Sequence, residues 1–302
     1  MANAVLKILL LLLFCGCASK TTPQQTSDFL SEAFKHPTDT GIAGTQTRFW
    51  RFGNFLVHFI SNINEKNRNL APIIYVHGLG GNLDGFSALI RLNHTSPASR
   101  PYYAIDLPPF GKSVMKESEL SIHGYSEMLQ EFVSMLAVPK VNLVCHSMGG
   151  QVCIDFALSN PQQIQLLTLI SPAGIYERSA FVDHVADHFA GVNFGAVDYP
   201  HARSFGDLAW YDQSFTRRMV TNNPLVLVGI ESYRQDFHSR IQKLKTKTLI
   251  IWGREDQIFG YENGLYLKDN VENSTLYVID GASHTPMTSH AGLVSKLIQK
   301  YL

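Results

Sequence analysis

The stretch from Val141 to Ile154, VNLVCHSMGGQVCI, constrains the fold of this chain more than any other. Its apolar run 141–145 is short enough for a buried strand, and two glycines then lead into a helix-compatible segment, 151–160. Between them stands Ser147. A serine at a sharp strand-to-helix turn is held in a strained backbone conformation that pushes its hydroxyl into solvent. The first N–H groups of the new helix point at whatever that hydroxyl attacks. The stretch therefore predicts a nucleophilic serine, with an ordinary strand-to-helix turn as the alternative.

Small residues two positions before and two positions after such a serine let the strand and the helix approach closely. Gly149 meets this requirement on the helix side, whereas Cys145 occupies the strand-side position where glycine is expected. If an N-terminal leader is removed, Cys145 and Cys153 are the remaining cysteines, and two cysteines do not make a disulfide framework. We therefore expect both to be buried free thiols.

Composition bounds the class of protein. The 302 residues suffice for one large α/β domain, with or without an inserted subdomain, or for two small domains. A hydrophobic content of 45% and a charged content of 17% exclude bulk disorder. The 25 basic residues balance the 25 acidic ones without a dense basic run, so nucleic-acid binding has no electrostatic support. No HExxH, paired CxxC or GxxxxGK[ST] motif occurs, so neither a metal nor another cofactor is implied.

The N-terminus has a different character from the rest of the chain. Residues 4–14 form an apolar run with Lys7 as its only charge, and a run this short is more typical of a secretion signal than of a membrane span. A polar segment follows, and we expect residues 18–46 to form a flexible tether and N-terminal extension.

The end of the apolar run, Phe14-Cys15-Gly16-Cys17, resembles a bacterial lipobox, in which the cysteine after a small residue is lipidated and becomes the mature N-terminus. The resemblance implies Cys17 as the lipidated residue. Ala18 replaces the aspartate associated with inner-membrane retention, so the resemblance implies an exported lipoprotein, anchored by its lipid to the outer membrane or facing the periplasm. An ordinary cleaved signal and an uncleaved anchor are the alternatives.

Downstream, short buried runs alternate with helical segments. Aromatic and polar residues alternate over 47–60 around Gly53-Asn54, which predicts a β-hairpin. Ser121 is a suitable N-cap for a helix over 121–137. Other helices are expected at 86–92 and 293–302, and buried strands at 72–76, 102–105, 166–170, 248–252 and 275–279. This alternation is typical of a mainly parallel sheet with helices on both faces.

One long region breaks the alternation. Residues 172–245 contain no clear strand and many aromatics, and an insertion of this length is too long for a structureless loop. We expect a helical cap whose aromatics either form its own core or line an apolar pocket. The predicted organisation is a leader (1–17), the extension (18–46), a core (47–171), the cap (172–245) and the rest of the core (246–302).

Two late strands end in residues that complete a nucleophilic site. A serine is a weak nucleophile until a base takes its proton, and that base needs a carboxylate to orient it. Asp256 follows the strand at 248–252 and His284 follows the strand at 275–279, so the chain order is Ser147, Asp256, His284. That order is the one expected when the serine lies at a strand-to-helix turn.

Other residues compete for these roles. Glu255 is the substitute acid if the register slips by one position. His146 adjoins the serine, but adjacency in the turn directs its ring elsewhere, and we expect it to shape the turn. His77 is expected to brace the neighbouring glycine-rich loop through a hydrogen bond, or to be a satisfied structural histidine.

Four motifs occur in order at suitable spacing: HGLGG at 77–81, DLPPFGKS at 106–113, CHSMGG at 145–150, and WGREDQIF with GASHTP near the end. With them the chain resembles the α/β-hydrolase fold family, especially its monoacylglycerol-lipase-like and esterase members with a helical cap. The resemblance implies Ser147 as nucleophile, His284 as general base and then acid, and Asp256 as orienting carboxylate. It also implies an oxyanion hole formed by the backbone N–H groups of Leu79 and Met148.

The expected function is that of a membrane-tethered serine hydrolase that cleaves carboxylic esters, with an ester or lipid-like small molecule as substrate. An intact Ser–Asp–His set argues against members of the fold that use an aspartate nucleophile. A C–C bond hydrolase with the same triad and a non-catalytic ligand-binding protein are the alternatives. The sequence leaves the oligomeric state open.

Overall fold

The structure, a computed structural model, describes residues 44–115 except 54, 66, 68 and 98, then 121–175, 228–229, 231–232 and 235–302. The expected leader with Cys17, the extension up to residue 43 and most of the expected cap lie outside the described residues. Among the described residues, no helix is long and apolar enough to cross a membrane.

Among the described residues, nine strands form a single sheet. In chain order they are β1 (Gln46–Phe52), β2 (Phe55–Ser61), β3 (Ile73–Val76), β4 (Tyr102–Ile105), β5 (Val114–Met115), β6 (Val141–His146), β7 (Ile164–Ile170), β8 (Thr248–Gly253) and β9 (Ser274–Ile279). The spatial order is β1-β2-β4-β3-β6-β7-β8-β9, with β5 paired to β2. Along the spatial order β4-β3-β6-β7-β8-β9 all neighbouring strands are parallel, whereas β2 pairs antiparallel with β1, β4 and β5.

Six α-helices accompany the described strands: α1 (Ser87–Thr95), α2 (Ile122–Met135), α3 (Met148–Ser159), α4 (Glu262–Asn270), α5 (Pro286–Ser289) and α6 (Ala291–Tyr301). Short 3₁₀ turns lie at Leu83–Phe86, Pro161–Gln163 and Ile241–Lys243. The predicted N-cap of α2 is confirmed, because the Ser121 hydroxyl accepts a hydrogen bond from the N–H of Gly124 at 2.9 Å.

The sheet has an apolar core on each face. On one face, α2 and α3 contribute Phe132 and Val152 to a cluster that includes Leu143 and Trp252. On the other face, α1 and α6 pack against residues such as Tyr75. Strands buried on both faces explain why the central runs are continuously apolar rather than alternating, and the predicted α/β architecture is confirmed.

The predicted elements differ from the observed ones in a few places. The helix after Ser147 begins at Met148 rather than at residue 151, because the two glycines belong to its first turn. Neither β5 nor α4 was predicted. Of the nine residues in α4, only Gly264 and Leu267 are buried, so the sequence of that helix carries almost no apolar periodicity.

Candidate active site

The turn between β6 and α3, residues 146–149, is hereafter called the elbow. Ser147 lies there with φ 52° and ψ −121°, a conformation that a residue with a side chain rarely adopts, so the predicted strain is confirmed. The neighbouring backbone holds it in place. The Ser147 N–H donates to the carbonyl of Ile170 at 3.1 Å, and the Ser147 carbonyl accepts from Gly150 at 2.8 Å and from Ala173 at 3.1 Å.

Glycine at position 149 has a direct steric cause. A Cβ there would collide with the backbone oxygens of Val76 and His77 at the end of β3. The small residue therefore lets α3 start against the adjacent strand. The expectation that the turn pushes the serine hydroxyl into solvent holds only in part, because Ser147 keeps only 8% of its surface exposed.

The expectation of two free thiols is wrong. Cys145 and Cys153 form a disulfide with a Cα–Cα distance of 6.5 Å, and both residues are fully buried. Cys145 lies at the end of β6 and Cys153 in the second turn of α3, so the bond links the strand and the helix on either side of Ser147. The strand and the helix bring the two side chains face to face across the elbow.

Asp256 and His284 are both brought to the elbow. The Nδ1–H of His284 donates to Oδ2 of Asp256 at 2.8 Å, and the Ser147 hydroxyl donates to Nε2 of His284 at 3.0 Å. Parallel strands place their carboxyl ends at one edge of the sheet. Asp256 follows β8, His284 follows β9 and Ser147 follows β6. Parallel strands of one sheet therefore gather, at a single edge, three residues that are far apart in sequence.

The carboxylate of Asp256 is held ionised. Burial by itself would raise its pKa, but the hydrogen bond from His284 and the N–H groups of Ile258 and Phe259, at 2.9 and 3.0 Å from Oδ1, outweigh burial and keep the pKa below its usual range. The competing carboxylate of Glu255 is exposed on the surface, whereas the Asp256 side chain has no exposed area. The geometry therefore selects Asp256 over Glu255 as the partner of His284.

The glycine-rich loop after β3 lies against the elbow, because Val76 of β3 pairs with Cys145 of β6. Gly78 makes the closest approach: a Cβ at this position would come within 2.8 Å of the Ser147 Cβ. Leu79 is the next residue, and Met148 is the first residue of α3, where the N–H has no intrahelical acceptor. Of the two residues expected to supply oxyanion-hole donors, Met148 directly follows the serine and Leu79 directly follows the glycine that approaches it.

His77 braces this loop, as predicted. The Leu107 N–H donates to Nε2 of His77 at 2.8 Å, so the ring proton is on Nδ1, which donates to the Gly78 carbonyl at 2.7 Å. Burial lowers the pKa of His77 below its ordinary value, outweighing the opposing effect of the Gly78 hydrogen bond. The ring is therefore a neutral connector between the loop after β3 and the loop after β4.

Known proteins resemble this chain over most of its length. A family model described as the alpha/beta hydrolase fold matches residues 71–205. A 2-hydroxy-6-oxononadienedioate/2-hydroxy-6-oxononatrienedioate hydrolase of Pseudomonas putida is 25% identical over 279 residues, covering 85% of this chain and 96% of the relative. The monoacylglycerol lipase abhd6-A of Xenopus laevis is 25% identical over 283 residues, covering 86% and 82%.

Solved structures agree on the fold. A bacterial membrane phospholipase A superposes with a TM-score of 0.65 at 18% identity, covering 100% of this chain and 98% of the other. An esterase from Exiguobacterium antarcticum gives 0.65 at 17% identity, covering 84% and 98%. The protein has the α/β-hydrolase fold. The predicted family resemblance is confirmed at that level.

The protein also contains a buried hydrogen bond between a histidine and a carboxylate to which the sequence assigned no role. Nδ1 of His58 in β2 lies 2.6 Å from Oδ2 of Asp106, and the two side chains are 3% and 2% exposed. The carboxylate also accepts from the N–H groups of Lys112 and Leu83, each at 2.8 Å. These hydrogen bonds outweigh the burial that would raise the pKa of Asp106, and they hold it below its usual range.

The position of Asp106 explains what the pair does. Leu83 begins the 3₁₀ turn that follows the HGLGG loop, and Leu107 is bound to His77, so the loop after β4 holds the HGLGG loop at two points. Asp106 stands first in the quoted motif DLPPFGKS, which could have directed attention to it. His58 lies in an aromatic-rich strand with no motif of its own.

Proposed function

We propose that this hydrolase cleaves carboxylic esters through an acyl-enzyme on Ser147. The observation that carries the proposal is the chain of hydrogen bonds from Ser147 through His284 to Asp256, at 3.0 and 2.8 Å, beside a serine in the strained elbow conformation. These are the distances at which a general base acts on a hydroxyl. The arrangement is that of a nucleophile, a base and an orienting carboxylate.

The first half-reaction forms the acyl-enzyme. As Ser147 Oγ attacks the ester carbonyl carbon, its proton passes to Nε2 of His284, and the ionised Asp256 stabilises the resulting imidazolium. The backbone N–H groups of Met148 and Leu79 donate to the oxyanion, each contributing about 3 kcal/mol. His284 then returns the proton to the departing alkoxide oxygen as the C–O bond breaks, and the alcohol leaves.

The second half-reaction uses water in the same geometry. His284 takes a proton from a water molecule as the water oxygen attacks the acyl carbonyl carbon. It then protonates Ser147 Oγ as the bond between Oγ and the acyl carbon breaks. A carboxylic acid is released and the free serine returns. Every proton moves between Ser147, His284 and the reactants, so this sequence requires only the substrate and water.

An apolar acyl chain is the substrate feature that we propose beyond the ester bond. Three observations support it: the aromatic-rich insertion at 172–245, the monoacylglycerol lipase among the relatives, and the N-terminal lipobox resemblance. We likewise propose that Cys17 carries a lipid and anchors the exported enzyme to a bacterial membrane. A buried disulfide at the elbow supports the exported location, since disulfides persist mainly in oxidising compartments.

A second candidate is hydrolysis of a C–C bond. It is favoured by relatives named as hydrolases of 2-hydroxy-6-oxo acids, including the 2-hydroxy-6-oxo-6-phenylhexa-2,4-dienoate hydrolase of Comamonas testosteroni, 25% identical over 280 residues. The same serine, histidine and aspartate can serve that reaction, so the triad does not separate the two. The proposed signal sequence favours ester hydrolysis, because a ring-cleavage product of catabolism arises inside the cell.

The test measures hydrolysis of p-nitrophenyl esters of increasing chain length, together with labelling by a fluorophosphonate probe. We expect turnover and label on Ser147 in the wild type, and loss of both in Ser147→Ala. Ser134→Ala is the matched control, because Ser134 is an exposed serine of α2 whose hydroxyl donates to the Gln130 carbonyl of the same helix. Labelling without ester turnover, with cleavage of a 2-hydroxy-6-oxo-dienoate, would support the second candidate. Absence of both labelling and turnover in a folded sample would refute both.

A further inference from the structure

His146 contacts three parts of the active site at once. It is the last residue of β6 and precedes Ser147, and it is 8% exposed. Its Nε2 lies 2.9 Å from the backbone carbonyl of His284. On the other side, a Cβ at Gly78 would lie 3.1 Å from Nδ1 of His146, so the ring also touches the loop that carries Leu79. The expectation that this ring is directed elsewhere and shapes the turn is thus incomplete, because the ring also lies against the backbone and the ring of His284.

The hydrogen bond defines one tautomer of His146. A carbonyl oxygen can only accept a hydrogen bond, so Nε2 of His146 carries the ring proton and donates a hydrogen bond to the His284 carbonyl. Burial and the neighbouring imidazole of His284 lower the pKa of His146 to about 3, and Asp256 and His77 are the other charged or titratable groups that act on it. The ring is therefore a neutral donor at any pH well above that value.

The hydrogen bond from His146 goes to the main chain of His284, so the imidazole of His284 keeps its bonds to Asp256 and Ser147. The two imidazole rings are 4.8 Å apart and tilted by 54°, and Phe259 lies edge-on to His284 at 5.4 Å on the side of the acid loop. His284 stands in the loop between β9 and α5, so its backbone is not held by a strand ladder. A donor on its carbonyl is a direct means of fixing that loop against the elbow.

We propose that His146 is a positioning residue for His284: its Nε2–H holds the His284 carbonyl and so places the imidazole between Asp256 and Ser147. The inference rests on the proposed function. His146, the residue before the nucleophile, thereby contributes to catalysis without touching the substrate or transferring a proton. This role also explains why a neutral ring is suited to the position, since His284 becomes cationic during the reaction and a charged neighbour would repel it.

Two substitutions separate the hydrogen bond from the packing. His146→Phe keeps a planar ring in the same space but removes the donor, whereas His146→Gln keeps an N–H that reaches about as far as Nε2. We expect His146→Phe to lower kcat for a p-nitrophenyl ester roughly 10- to 100-fold, the effect of a small misplacement of a reacting group. We expect KM to change less than about two-fold, because no substrate contact is lost. His146→Gln should recover most of kcat.

The outcomes are distinguishable from failure of the proposed function. An unlabelled and inactive wild type overturns both the ester hydrolysis and this inference. An active wild type with an unchanged kcat in His146→Phe overturns the positioning role alone, as does an equal loss in His146→Gln and His146→Phe. Thermal unfolding of each variant checks folding, and if His146→Phe does not fold, His146→Leu takes its place with the same expected loss and the same rescue by His146→Gln.

Discussion

The disulfide beside Ser147 allows a quantitative prediction. Cys145 and Cys153 are eight positions apart, so the bond closes a short loop in the unfolded chain. The loop-closure relation gives a loss of unfolded-state entropy equivalent to about 2.5 kcal/mol at 25 °C for a loop of this length. For a chain of this size each kcal/mol corresponds to about 2–4 °C, so the expected difference in Tm is roughly 5–10 °C.

The perturbation is reduction of the bond. Both cysteines are fully buried, so a thiol reagent should act slowly on the folded protein, and the comparison should use protein unfolded and refolded with and without reductant. Circular dichroism then measures the two melting curves. The variant Cys145→Ala/Cys153→Ala is the control, because its Tm should not depend on reductant.

The state of the bond is measured independently. Alkylation of the unreduced, unfolded protein followed by peptide mass analysis should leave Cys145 and Cys153 unmodified and linked to each other. Modification of both residues in a sample purified without reductant, or equal Tm values with and without reductant in the wild type, would refute the reasoning.

Three further predictions follow from the site. Asp256→Asn should lower kcat by about 10⁴-fold because it removes the orienting carboxylate, whereas Glu255→Gln, at an exposed position, should leave kcat nearly unchanged; ester kinetics of the two variants decide between the neighbouring acids. Gly149→Ala should prevent correct folding of the elbow, since its Cβ would overlap backbone oxygens, and soluble yield with fluorophosphonate labelling measures this. The lowered pKa of Asp106 means that its ionised form stabilises the fold above the unfolded pKa of about 4, and that this stability is lost as pH falls through the lower folded pKa. Urea unfolding between about pH 3 and 7 should show this fall, and Asp106→Asn should be less stable at neutral pH and flatter in its acid dependence; an unchanged slope would contradict the assignment.

The parts of the molecule that the sequence predicts are those with strong local signals. The buried strands, the hairpin around Gly53 and the N-cap at Ser121 follow from periodicity and turn chemistry. The approach of Ser147, Asp256 and His284 follows from a topological rule, since residues after parallel strands meet at one edge of the sheet. Pattern and topology were sufficient for these.

The parts that could not be predicted depend on side-chain directions at the elbow. Cys145 and Cys153 lie on different elements, and nothing in their spacing shows that a strand residue and a helix residue face each other across the turn. The ring of His146 likewise bonds to a backbone carbonyl 138 residues away in a loop, a contact without any sequence signature. The pair of His58 and Asp106 is hidden for the same reason.

These unpredicted contacts share a physical role. The serine keeps an unfavourable backbone conformation only because its surroundings hold it there. The disulfide links the strand before Ser147 to the helix after it, and His146 links the same strand end to the loop of His284. His77 and Asp106 hold the glycine-rich loop from the opposite side. Three loops that are not stabilised by the sheet itself are thus joined to the elbow or to each other by covalent or hydrogen bonds. Cys145 stands where glycine is usual before the elbow. At that point strand and helix are joined by a covalent link rather than by close packing alone. Such a link forms and persists where the surroundings are oxidising.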